Sequence, residues 1–317
     1  ALQLTGSNCA SFADCDEEVF LSHGLLSRLA LRTGQRAQLQ LMPRQLQPLN
    51  RTSLASLLCD LLWWDGRWLE TSAPQDSLLP LGNIGRLVAQ TQDGAPVVLA
   101  FKAGHNNEHH NHNDIGSFIL HSAGENLLAD PGRGLYSRAN FDSRRYQNIF
   151  NNSYGHSVPR LAGQLQPPGE QYYGTLSEIE RDDTSKAIEI DFTHAYALPQ
   201  LQEARRHLQL ITEGKENGTL LLRDNFIFTQ PTEVEEAFST WFDTRIEGST
   251  ATILGQWQGL SMTIEEPAVA TFQVEQLEQE SRENQKSGVL KRITVTLPPD
   301  REQQVRIRMR PFTRQEA

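Results

Sequence analysis

Cysteine is scarce in this chain: Cys9, Cys15 and Cys59 are the only three among 317 residues. An odd, sparse set excludes a disulfide framework. Cys9 and Cys15 could pair, but buried free thiols are the expectation. Long apolar runs are missing as well, and nothing approaches the roughly twenty residues a membrane-spanning helix needs. Positive charge is short: 29 Lys and Arg face 39 Asp and Glu, a formal balance of −10. That argues against general nucleic-acid binding, which requires a basic footprint. No Walker loop, dinucleotide-binding glycine pattern, Cys-x-x-Cys pair or Gly-x-Ser-x-Gly elbow occurs, so the chemistries that depend on them are set aside. There is no internal repeat and no low-complexity tract. The chain opens at Ala1 without a recognisable leader and reads as a piece of a longer protein, so no targeting signal can be read from it.

What is present falls into two regimes that change near residue 80, in a chain long enough for one large domain or two. Asp14-Cys15-Asp16-Glu17-Glu18 is acidic and suits a helix N-terminus. A mostly apolar stripe follows from Val19 to Leu31, and Gly34 is a plausible stop. A second helix is predicted from about Ser53 to Trp64, with Leu54, Leu57, Leu58, Leu61 and Leu62 on one side. Residues 36–51, rich in Gln and Pro, read as a loop. Beyond residue 80 the pattern is β: strand pairs turn around Asp93-Gly94 and Ala123-Gly124-Glu125, and further strand candidates are Gly174–Arg181, Ala187–Ala197, Ala204–Thr212, Thr219–Phe228, Glu235–Thr244, Thr252–Leu254, Ser261–Ile264, Val289–Thr296 and Gln304–Met309. Many short strands without intervening helices predict a large antiparallel β-sandwich. The division expected is a helical segment over 1–80 and a sandwich domain over 81–317.

Chemistry concentrates in Lys102–Asp114. Five of the nine histidines lie between residues 105 and 121, and imidazole is both a general acid/base near neutral pH and a common metal ligand. The spacing His110-x-His112-x-Asp114 would put all three on one face of an extended strand. Asp130, at the end of a hairpin strand, and His156, in a later loop, could join His112, because neighbouring strands lie about 5 Å apart. Two His and one Asp with an open position would suit zinc. The same residues could equally form a plain His–carboxylate hydrogen bond with His156 capping a loop. His110 is a candidate acid/base, and His105 and His109 read as rim residues. From Pro131 to Arg160 there are five arginines and one acid, a local +4. Tyr136 and Tyr146 lie among them, and a phenol beside arginines is expected to have a lowered pKa and to exchange protons. Arg144 and Arg145 could clamp a carboxylate or sulfate.

The run from Lys102 to Gln166 resembles the heparinase II/III-like family of bacterial polysaccharide lyases. The matching pieces are Lys-Ala-Gly-His-Asn-Asn-Glu (102–108), His-Asn-His-Asn-Asp-Ile-Gly-Ser-Phe (110–118), Leu-Leu-Ala-Asp-Pro-Gly (127–132), Arg-Tyr (145–146) and Gly-His-Ser-Val-Pro-Arg-Leu-Ala-Gly-Gln-Leu-Gln (155–166). The resemblance implies a mainly β fold, a large antiparallel sandwich preceded by the last helices of an α/α toroid. It implies β-elimination of uronic-acid-containing polysaccharide, of glycosaminoglycan or alginate type, in a cleft between toroid and sandwich. It implies a zinc on His112, Asp130 and His156 and catalytic positions at His110 and Tyr136, with Tyr146 a second candidate. Read from the residues themselves, the metal is expected to be structural, and His105, Arg133, Arg144 and Arg145 are the expected substrate contacts.

The family's principal tyrosine and its carboxylate-neutralising Asn/His lie in the toroid, and nothing before Lys102 resembles them. The chain alone is therefore expected to show weak or no lyase activity. The partner expected is an acidic polysaccharide or oligosaccharide, with no nucleic acid and no membrane span. A homodimer stays open, as do a bacterial periplasmic or cytoplasmic location and the particular sugar. Two other classes stay open too: a non-catalytic carbohydrate-binding or assembly sandwich, and a zinc-dependent hydrolase.

Overall fold

Alternation of buried and exposed side chains along the strand Leu220–Thr240 sets the architecture. Leu220, Leu222, Asp224, Phe226 and Phe228 point inward, and the residues between them are more exposed. The strand Leu201–Ile211 alternates in the same way and lies antiparallel beside it, Arg206 facing Asp224 in register. The period of two is that of a sheet with one face on the core. Twelve strands form this large sheet, with Leu220–Thr240 and Leu290–Thr313 side by side at its centre. A five-stranded sheet, Ser77–Leu79, Ile84–Gln90, Pro96–Lys102, Phe118–Ser122 and Glu125–Leu128, packs against it. All strand pairings are antiparallel.

These statements rest on a computed structural model that describes residues 2–6, 8–18, 22–34, 53–66, 73–79, 83–142 and 144–314. The core lies between the two sheets. Val97, Leu99, Phe101, Phe118 and Leu120 of the small sheet meet Leu208, Leu222, Phe226, Phe238, Ile293 and Ile307 of the large one. The outer face of the small sheet is apolar too: Val98, Ala100 and Ile119 are covered by Leu2, Leu4, Ala10 and Phe12 from the start of the chain. Both faces of strand Pro96–Lys102 are thus buried, which fits its near-continuous apolar sequence.

The mainly β architecture agrees with the sequence reading, but several elements differ from it. The two strand candidates on either side of Pro231 are one strand, Leu220–Thr240, and those on either side of Pro298-Pro299 are one strand, Leu290–Thr313. Proline cannot donate to a ladder, and the register between the two strands shifts at these points. The acidic stretch 14–18 does not start a helix. Residues 2–6 and 8–18 run as irregular chain over the small sheet, and the helix begins at His23. The Ser22 hydroxyl caps that helix by accepting the Leu25 N–H at 3.1 Å, and Gly34, at φ 70°, ends it. A second helix, Leu54–Trp63, is capped by Ser53. The two helices meet where Gly24 approaches the Cys59 carbonyl so closely that a Cβ would sit 1.9 Å from it. Asp60 fastens the contact by accepting from the Ser22 hydroxyl and the Gly24 N–H, both at 2.7 Å. The leucines of the second helix face solvent. The expected loop over 36–51 lies outside the described residues. No described helix is long and apolar enough to cross a membrane. Cys9, Cys15 and Cys59 are free thiols.

Candidate metal centre and acid–base site

The loop between strands Gly104–Asn106 and Phe118–Ser122 is irregular, so the expected strand face for His110, His112 and Asp114 does not exist. His110 has a left-handed backbone, φ 61°, which turns its ring outward while His112 turns in. The His110 side chain is 69% exposed and that of His112 is 0% exposed. The loop is pinned from several sides. Gln166 accepts the Ile115 N–H at 3.0 Å and donates to the Ile115 carbonyl at 2.8 Å. Asn113 donates its N–H to the Asn151 carbonyl and its amide to the Gln166 carbonyl, both at 3.0 Å. Asp114 forms a buried ion pair with Lys102.

Two other loops meet it. Asp130 follows strand Glu125–Leu128, and its Oδ1 accepts the Gly132 N–H at 3.0 Å, closing a tight turn at Gly132 with φ 64°. His156 ends a single helical turn, Ser153–Gly155, which Asn152 caps by accepting the Tyr154 N–H. The result is a fully buried cluster: His112, Asp130 and His156 each offer one ligand atom, and these atoms lie within 4.8 Å of one another. Three loops bring them together rather than the adjacent strands expected from the sequence.

The donor set fits a divalent cation. His112 Nδ1 and His156 Nε2 are buried with no hydrogen-bond partner, and leaving such a group unpaired costs about 1–3 kcal/mol. Burial pushes the His112 imidazolium pKa down, outweighing the hydrogen bond to Asp14, so its ring is ready to coordinate as the neutral form. Burial also opposes charge on His156, but the Asp130 carboxylate, 2.8 Å from its Nδ1, raises its pKa overall. Asp130 in turn stays ionised in spite of burial because His156 and His112 face it. A cation would take the place of the His156 proton.

Beside this cluster lies a second one, centred on Asp14. Its carboxylate is 3.2 Å from His112 Nε2, accepts the Tyr136 hydroxyl at 2.6 Å, lies 2.9 Å from His110 Nδ1 and 3.5 Å from the Arg145 guanidinium. Burial would raise the Asp14 pKa, but the hydrogen bonds from His112, Tyr136 and His110 hold it well below the usual carboxylate range. The Tyr136 phenol is pushed up by burial and by Asp14, against the weaker pull of Arg145 and Arg133. This corrects the lowered value expected from neighbouring arginines. Asp14 was not singled out from the sequence: its partners lie about a hundred residues away, and its own neighbourhood looks like a helix start.

The remaining predicted residues are dispersed. Tyr146 is half-buried on the rim, its hydroxyl 3.5 Å from the Asn111 amide. Arg145 does not reach outward as a clamp: it donates to the Asn111 carbonyl at 2.8 and 3.2 Å and to the Asn140 carbonyl at 3.2 Å. Arg144 grips Asp142, with a shortest contact of 2.6 Å, so the two arginines form no shared fork. Arg133 is paired with Asp16 at 3.3 Å. His105 pairs across strands with Tyr173, which stacks on His194 at 4.9 Å. An open cleft of about 1320 Å³ runs past Tyr136, Asp130, Arg133, Trp241 and Lys286.

A family model described as "Heparinase II/III-like, C-terminal" matches residues 72–310. The chain belongs to this family. Solved structures with the same fold include heparan sulfate lyase HepC from Pedobacter heparinus, at 14% identity and TM-score 0.70, covering 99% of this chain and 46% of that one. A structure named heparinase III matches at 13% identity and TM-score 0.68, covering 98% of this chain and 45% of that one. This heparinase II/III-like chain thus spans less than half the length of these relatives. No curated protein matches the sequence significantly. The matched region contains His112, Asp130, His156, His110 and Tyr136, and Asp14 lies before it.

Proposed function

We propose that this chain is the C-terminal portion of a polysaccharide lyase that β-eliminates uronic-acid-containing polysaccharide, with a structural zinc on His112, Asp130 and His156. The observation that carries the reading is the Tyr136–His110 pair, its contacts at 2.6 and 2.9 Å to one Asp14 oxygen, beside an open cleft. A carboxylate only accepts hydrogen bonds, so Tyr136 Oη and His110 Nδ1 both present their hydrogens to Asp14. Tyr136 is therefore held protonated, as an acid. His110 keeps Nε2 as its lone-pair nitrogen on a largely exposed ring, as a base. Elimination needs such a pair: a base takes the C5 proton of the uronate, the C4–O4 bond breaks as the C4–C5 double bond forms, and an acid protonates the leaving oxygen. The uronate carboxylate must be neutralised before C5–H becomes acidic enough. Arg144 and Arg145 are held by several close bonds each, so that task falls to Arg133, whose single contact to Asp16 is long and solvent-exposed and therefore weak, or to residues outside this chain. The zinc would contribute by pinning loops 105–116 and 131–156 around the cleft.

The test is formation of an unsaturated uronate, read by ultraviolet absorbance, from glycosaminoglycans and alginate supplied to the full-length protein. Activity reduced about 100-fold or more in Tyr136→Phe, in line with the usual contribution of a positioned acid, supports the reading. Cleavage without the chromophore would point instead to a hydrolase. Binding without cleavage would point to a carbohydrate-binding module. The chain by itself is expected to turn over weakly or not at all.

A further inference from the structure

The Asp14 carboxylate faces two groups with different tasks, one through each oxygen. Oδ1 lies 3.2 Å from His112 Nε2. Oδ2 accepts from Tyr136 Oη at 2.6 Å and lies 2.9 Å from His110 Nδ1. Because the carboxylate is an acceptor only, the His112 proton must sit on Nε2. That leaves Nδ1 as the lone-pair nitrogen, and Nδ1 is the buried atom of His112 that has no partner. Asp14 thus chooses which nitrogen of His112 can serve as a ligand. A carboxylate on the far nitrogen of a ligating imidazole fixes its tautomer and orientation, and removing one commonly costs 10–100-fold in metal affinity. The Asp14 side chain is 7% exposed and Arg145 closes over it, so it has little room to satisfy only one of its two partners.

We propose that Asp14 is a positioning residue that couples the metal centre to the acid–base pair, orienting His112 with one oxygen and holding Tyr136 and His110 with the other. The inference rests on reading His112, Asp130 and His156 as metal ligands. It gives the ion a role beyond pinning loops: cation binding draws on His112, His112 draws on Asp14, and the placement of the Tyr136 hydroxyl follows. Coupling of this kind is reciprocal, so disturbing the Tyr136 side must also be felt in metal affinity.

The test uses the chain as it stands and needs no turnover. Zinc affinity is measured by competition with a chromophoric chelator for wild type, Asp14→Asn, Asp14→Ala and Tyr136→Phe. The tyrosine ring resonances of carbon-13-labelled protein are recorded with and without zinc, and Tyr136→Phe identifies the Tyr136 signal. Asp14→Ala is expected to weaken zinc binding about 10–100-fold, with Tyr136→Phe changing it by a smaller, measurable factor. The Tyr136 resonance should move on zinc binding in wild type and stay still in Asp14→Ala. Should Asp14→Ala fail to fold, Asp14→Asn, which keeps the shape and loses the charge, carries the same comparison. Wild-type zinc affinity in the folded Asp14 variants, or a zinc-induced Tyr136 shift that survives them, overturns the coupling and leaves the metal site intact. Wild-type protein that takes up no zinc overturns the metal reading itself and the coupling with it.

Discussion

Arg206 is a sharp test of how the sandwich holds its candidate site. Its side chain is fully buried between the sheets. It bonds Asp224 at 2.6–3.0 Å and Glu236 at 3.0 Å. Its remaining donors reach the Gly116 carbonyl at 2.8 Å and the Ser157 carbonyl at 2.7 Å. Gly116 ends the loop that carries His112, and Ser157 follows His156, so one guanidinium ties both loops to the large sheet. Burial and the neighbouring Asp224 push the Glu236 pKa well above the usual carboxylate range, which favours a proton held between the two carboxylates. Arg206→Met would leave the buried carboxylates without their cation, a change that typically costs about 3–5 kcal/mol. The two carbonyls left without donors push toward the upper end of that range. Such a loss corresponds to a melting temperature lower by roughly 4–8 °C for a chain of this length, measured by calorimetry alongside zinc content. The companion variant Arg206→Met/Asp224→Leu/Glu236→Leu removes every charge at once and should recover most of the loss, since buried ion clusters replaced by apolar residues are often neutral or better. A single variant within about 1 kcal/mol of wild type, or a triple variant worse than the single, would refute the reasoning.

His121 should make the fold acid-sensitive. It is buried between the Thr5 hydroxyl at 2.6 Å and the Asn126 amide oxygen at 2.8 Å, and burial drives its pKa down to about 4. Below the unfolded value of about 6.5 the unfolded chain binds the proton more tightly. Stability is therefore lost as pH falls from about 6.5 toward 4, by up to roughly 3 kcal/mol. The difference in unfolding free energy between wild type and His121→Gln should shrink by this amount over that window, and a pH-independent difference would contradict the assignment. His112→Ala should lose the bound metal, measured by elemental mass spectrometry, and melt lower than metal-loaded wild type. At a free metal concentration 100 times the dissociation constant the gap is about 2.7 kcal/mol. Retention of stoichiometric metal in His112→Ala would remove His112 from the ligand set.

Much of the fold was legible because strand alternation is local. Leu220, Leu222, Phe226 and Phe228 declare an inward face without knowledge of any partner. The strands were cut short where proline interrupts the pattern, since Pro231 and Pro298-Pro299 look like ends when read alone. Only the pairing shows that the two long strands run on side by side past those points, with a shift in register. The acidic stretch 14–18 was misread for a related reason. Its composition satisfies a helix N-terminus, but apolar burial decides: Leu2, Leu4, Ala10 and Phe12 cover Val98, Ala100 and Ile119, and the segment follows them across the small sheet.

The site divides along the same line. His112, Asp130 and His156 lie within 45 residues of chain, and the fold converges them by way of turns at Gly132 and Ser153–Gly155. Asp14 meets His112 across 98 residues and Tyr136 across 122, with no local pattern to mark it. Arg206, Asp224 and Glu236 fall between these cases. Each occupies an inward position of an alternating strand, and a charge on an apolar face requires partners. Three such exceptions on two neighbouring strands are a signal that sequence can carry, because only one another's company lets them be buried. What it cannot carry is their second task, since the carbonyls of Gly116 and Ser157 that Arg206 holds could belong to any residue type. The candidate ligands, close along the chain, were therefore readable, whereas a side chain such as Asp14 that acts across a hundred residues, and the carbonyls that act through backbone position, required the fold.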